Sequence, residues 1–102
     1  MFSLVYITAG DMEEARKIGK KLVEERLAAC VNFFPVTSIF RWKGLIDEAN
    51  EVAIIAKTTS GKVKDIDKRV KELHSYDVPC VVSFNMEEGS KDFLDWIAES
   101  VE

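Results

Sequence analysis

A chain of 102 residues, of which 47% are hydrophobic, has apolar material for one packed core, spanning residues 1–102, and no room for a second domain. Its net charge of -4, with both signs interspersed, leaves no basic stripe, which argues against nucleic-acid partners. No apolar run approaches the ~18 residues of a membrane span, Met1-Phe2-Ser3-Leu4-Val5-Tyr6 lacks a signal peptide's positive region, and two cysteines are too few for a secreted disulfide framework, so the expected location is cytoplasmic.

Phe2 to Thr8 is a continuous apolar run rich in β-formers and predicts a central strand buried on both faces. Asp11 and Glu14 have capping-box spacing. Ala15, Ile18, Gly19, Leu22 and Val23 then recur with helical period, predicting a helix to about Leu27. Cys30 to Trp42 is β-rich, with Pro35 marking a bulge or an edge position. Lys43-Gly44 makes a tight turn, and Leu45 to Thr58 returns as a second long β segment, so the two form one hairpin.

Ser60 is placed to cap a second helix in which Val63, Ile66, Val70 and Leu73 share a face, ending near His74 before Val78-Pro79 forces extended backbone. Cys80 to Met86 is the fourth predicted strand. Ser90 is placed to cap a last helix with Phe93, Leu94, Ile97 and Val101 on its buried side. The order β-α-β-β-α-β-α is α+β and ferredoxin-like, with an extra C-terminal helix. Right-handed crossovers put the first and third strands in the middle of the sheet.

Each hairpin arm of about 13 residues reaches about 43 Å at ~3.3 Å per residue. A domain of this length has a radius of gyration of about 13 Å and is therefore only about 33 Å across. The distal half, Val36 to Ile46, must therefore project, and it carries Ile39, Phe40, Trp42, Leu45 and Ile46. So apolar a projection predicts that each hairpin completes the sheet of a sister chain in a closed oligomer. A hairpin folded back on its own helices is the alternative.

Four segments resemble the CutA divalent-cation tolerance family: Glu25 to Asn32, Thr37 to Ile46, Glu51 through Lys57-Thr58, and Leu73-His74-Ser75-Tyr76-Asp77-Val78-Pro79. The resemblance implies a ferredoxin-like subunit, a trimer built through the long strands, a likeness to PII signalling trimers, and an association with copper and other divalent metals. Ser75 stands where the family usually has proline, Phe40 where it has tyrosine, and Cys80 where it often has glutamate.

Chemistry-bearing residues are sparse. Cys30, Cys80 and the single His74 are the soft or borderline ligands, and copper favours thiolate and imidazole. Cys30 and His74 are the candidate metal ligands, pooled between subunits, against the alternatives of a small buried thiol and a helix-end imidazole. The family geometry implies that Trp42, Glu51, Lys57 and Tyr76, with His74, gather at an inter-subunit cleft suited to a small anionic or polar ligand, or form a hydrogen-bond network for assembly alone.

No enzymatic site is expected, since one histidine without a nucleophile motif supplies no triad and Thr8-Ala9-Gly10-Asp11 is a poor phosphate cradle. Glu51 to Ala56 lacks the stacking aromatics of an RNA-recognition strand. The reading is a non-enzymatic homotrimer for divalent metal tolerance that requires no cofactor and binds copper or another divalent ion. A PII-like small-ligand sensor is the rival.

Overall fold

The computed structural model describes residues 1–102. Strand β1 (Phe2–Ala9) leads through helix α1 (Met12–Glu24) to β2 (Cys30–Trp42) and β3 (Leu45–Thr59), then helix α2 (Val63–Leu73), β4 (Val81–Met86) and helix α3 (Lys91–Ser100). All four strands form one antiparallel sheet in the order β2-β3-β1-β4, with the first and third strands central as expected. No helix is long and apolar enough to cross a membrane.

Alternation along the strands decides which face is covered. Val5, Ile7 and Ala9 on β1 and Val52, Ile54 and Ala56 on β3 lie on one face, where Ala15, Ile18 and Leu22 of α1 and Ile66 and Val70 of α2 complete the core. The other face carries Leu4, Tyr6 and Thr8 with Phe34, Phe40, Val82 and Phe84. Only α3 covers part of it, through Ile97 and Val101 against Ala29, Phe2 and Met86. Strand β1 is therefore buried by its own chain on one face and half-open on the other, where the sequence predicts two covered faces.

Asp11 caps α1 as predicted, its Oδ1 accepting the Glu14 N–H at 2.8 Å. That helix ends at Glu24, short of Leu27, because Arg26 takes a left-handed φ of 59° and turns the chain. Two predicted caps are corrected. Residues Ser60–Lys62 form a 3-10 turn, and the Ser60 hydroxyl bonds Ser3 Oγ at 2.7 Å instead of a helix N–H. Ser90 precedes α3 without a side-chain cap bond.

Pro35 sits in an unbroken register opposite Val52. It is tolerated because β2 is an edge strand, so its missing N–H faces outward and no bulge is needed. The hairpin arms of 13 and 15 residues turn at Lys43 and Gly44, both at positive φ. They stretch the molecule to 45 Å against 25 and 21 Å across.

Candidate functional site

Helix α2 stops at Leu73, and His74 adopts extended backbone (φ -83°, ψ 145°), so residues 74–80 cross the end of the sheet on their way to β4. Glu14 anchors this crossing. Its Oε1 accepts the Gly10 N–H at 3.0 Å and its Oε2 the Ser75 N–H at 2.8 Å. Burial acts to raise the Glu14 carboxyl, but the bonds from Ser75 and Gly10 and the nearby His74 hold it below its ordinary value.

His74 is fixed at both ring nitrogens. The Tyr76 N–H donates to Nδ1 at 3.1 Å, which leaves Nε2–H to donate to the Thr8 carbonyl at 2.7 Å. Glu14 Oε2 lies 3.7 Å from Nδ1, beyond hydrogen-bond reach. The Tyr76 ring packs against the His74 ring with centroids 4.6 Å apart and planes tilted by 45°, and its hydroxyl donates to Glu51 Oε2 at 2.8 Å.

This crossing and the hairpin enclose a cleft of about 700 Å³ on the half-open face of the sheet. Tyr6 and Thr8 floor it, Phe40, Trp42, Asp47 and Glu51 form the hairpin wall, and Tyr76, Asp77 and Cys80 the other. Tyr76 is pushed up to about 12 by burial, by its bond to Glu51 and by the charges of Glu51, Glu14 and Asp11. Burial, then the Glu51 charge, also pushes the Cys80 thiol up, against a bond with Thr8.

Of the residues singled out in the sequence, Trp42, Glu51 and Tyr76 meet at this cleft, and His74 stands behind Tyr76. Lys57 lies elsewhere, with Nζ donating to Asn32 Oδ1 at 2.6 Å and sitting 5.7 Å from the Phe93 ring. Cys30 is opposite Lys57, which pairs with Leu4, whereas His74 bonds Thr8. The four-residue step from Leu4 to Thr8 alone sets the two candidate ligands about 13 Å apart along the strand at ~3.3 Å per residue, and β3 lies between the strand of Cys30 and β1. No three His, Cys, Asp or Glu side chains are placed to hold a metal ion. Within one chain, then, Cys30 and His74 do not fit a copper centre.

Sequence reasoning missed Tyr6, Thr8, Asp77 and Cys80 as cleft residues. For Tyr6 and Thr8 the one available signal was strand parity, which puts them on the same face as Glu51. It needed the register to be read.

The family model described as CutA1 divalent ion tolerance protein matches residues 3–100. The "Divalent-cation tolerance protein CutA" of Archaeoglobus fulgidus is 50% identical over 102 residues, covering 100% of both chains. That of Thermus thermophilus is 46% identical over 101 residues, covering 98% of each. Among solved structures, the "Periplasmic divalent cation tolerance protein CutA" of Archaeoglobus fulgidus superposes with a TM-score of 0.99 at 50% identity, covering 100% of both chains. The Thermus thermophilus protein superposes at 0.96 and 46%, again covering both chains fully. With this sheet order, this hairpin and a match along nearly its whole length, the chain belongs to the CutA1 divalent ion tolerance family.

Proposed function

We propose that this protein is a non-enzymatic homotrimer serving tolerance of divalent metal ions, copper first, with no required cofactor. The observation that carries the assembly is the bare sheet face. Phe34, Phe40, Trp42, Val82 and Phe84 share it by register and are 38–58% exposed. At the hairpin tip Ile39, Leu45 and Ile46 are exposed as well. A surface this apolar is stable in water when another surface covers it. A hairpin laid on a neighbour's sheet is a heterologous contact, which closes into a ring when the rotation permits. The count of three follows the family resemblance.

The chemistry supports a binding role over catalysis. His74 has both nitrogens engaged, and Cys80, pushed up by burial, is a thiol with no base to activate it. For copper, convergence between chains is the route: Cys30 is the thiol we assign, and His74 of another chain would have to release its bond from the Tyr76 N–H. A PII-like sensor of a small ligand is the second reading, favoured by the cleft of about 700 Å³.

Light scattering at micromolar concentration tests the assembly, with a mass three times 11.5 kDa expected; a monomeric mass overturns it. Copper titration of Cys30→Ser and His74→Ala tests the ligands, and unchanged affinity in both removes them. In Tyr76→Ala, loss of the trimer would make the Tyr76–Glu51 bond an assembly device, and an intact trimer would favour a pocket.

A further inference from the structure

Covering the bare sheet face also covers its charges. Asp47, Glu51 and Asp77 line the cleft on that face with no lysine, arginine or histidine beside them, and every ion pair within the chain lies elsewhere. Glu51 accepts the Tyr76 hydroxyl and Asp47 the Glu48 N–H, but neither bond neutralises a charge. In water these carboxylates are stable as they stand. Under an apolar cover an unpaired charge is costly, so the surface that covers them must bring a cation.

The projecting hairpin carries one. Its residues alternate between two faces: Phe40, Trp42, Asp47 and Glu51 wall the chain's own cleft, and Ile39, Arg41, Ile46 and Glu48 lie on the reverse. Nearer the core, α1 and α2 cover that reverse face. At the tip it is bare, with Ile39 69% and Ile46 62% exposed. Arg41 sits opposite Ile46, two residues from Ile39, and takes part in no ion pair. Strand parity turns it away from its own cleft, so only a second copy can receive it. Lys43, at the turn, lies 5.8 Å from the centre of its own Trp42 ring and pairs with none of the three acids.

A guanidinium suits the cleft chemically. It is planar and weakly hydrated, stacks on rings such as Tyr6, Phe40, Trp42 and Tyr76, and takes a carboxylate in a two-bonded fork. We propose that the cleft is the socket for the hairpin tip of a second copy of this chain, whose Arg41 pairs with Glu51, Asp47 and Asp77 while its Ile39 and Ile46 cover the rings. This rests on the assembly reading and names the two surfaces that meet. Tip and socket are different patches of one chain, so the contact is heterologous, the kind from which a closed three-fold ring is built.

Sedimentation of the full-length chain across a dilution series tests the pairing, with circular dichroism checking that each variant is folded. Arg41→Glu and Asp77→Lys each bring like charges together, and each should weaken association tenfold or more. The double variant restores opposite signs across the contact and should associate more tightly than either single one. Arg41→Leu keeps the apolar bulk and loses the charge, so it carries the test if a charge reversal misfolds, with a weakening of tenfold or more expected again.

A double variant no tighter than the single ones overturns the pairing, as does association of Arg41→Leu or of both single reversals as tight as that of wild type. Each of these results leaves the assembly reading standing. A monomeric wild type overturns the assembly reading and this inference together.

Discussion

Glu14 joins three pieces of chain through one carboxylate, since it closes the first turn of α1 and also holds the Ser75 N–H of the crossing. Removing it in Glu14→Ala leaves two N–H groups without partners, at an expected cost of about 1–2 kcal/mol by chemical denaturation. Its folded pKa is depressed, so its contribution is present above the ordinary value of 4.5 and is lost as pH falls through the lower folded value. The stability gap between wild type and Glu14→Gln should therefore close as pH falls below 4.5; a gap constant down to the acid transition would deny the carboxylate this role. Tyr76 has the opposite sign. Its phenol is raised from 10.0 to about 12, so its contribution holds below 10.0 and disappears as pH rises through about 12. The alkaline limb of the stability curve should be shallower in Tyr76→Phe than in wild type. The capping pair Asp11 and Glu14 was legible from spacing alone. The second bond of Glu14, to a residue 61 positions away, had no local signal and could not be read.

At the scale of elements, periodicity carried most of the information. The apolar stripe of α1 and the alternation of β1 and β3 describe the same core from two sides. Caps were less legible, because Ser60 and Ser90 have the right residue type, but the Ser60 hydroxyl bonds Ser3 instead and Ser90 makes no side-chain cap bond. Gly19 shows what periodicity cannot reveal. It occupies a core position of α1, and a methyl group there would lie 2.7 Å from Phe33 Cζ and 2.9 Å from Val31 Cγ2. The helix thus approaches β2 at a distance only glycine permits. Gly19→Ala gains ~1 kcal/mol in helix propensity, but overpacking against two branched or aromatic side chains costs roughly 1–3 kcal/mol. The expected outcome is a net loss of about 1 kcal/mol in urea denaturation. Stabilisation in that measurement would mean that Phe33 shifts freely and that α1 is not locked to the hairpin base.

For the molecule as a whole, the hairpin's length was readable because it rests on arithmetic: strands of 13 and 15 residues outrun a domain of this size, and the 45 Å extent follows. The composition of the cleft was not readable, since it depends on a register that brings Asp47 and Glu51 to the same face as Tyr6 and Thr8. The bare face makes one prediction that separates folding from assembly. Phe84 lies on β4 beside Val82, is 58% exposed within its own chain, and takes no part in either buried cluster. A charge there leaves the monomer's core untouched. If a sister chain covers it, however, Phe84→Asp loses about 2–3 kcal/mol of apolar burial per subunit and also places a carboxylate in a dry contact. Association should then weaken by roughly a hundredfold or more per contact. Sedimentation should show the mass falling toward 11.5 kDa while circular dichroism keeps its folded signal. A folded Phe84→Asp variant that remained fully assembled would mean that this face is not where the copies meet, and the hairpin's apolar tip would need a different cover.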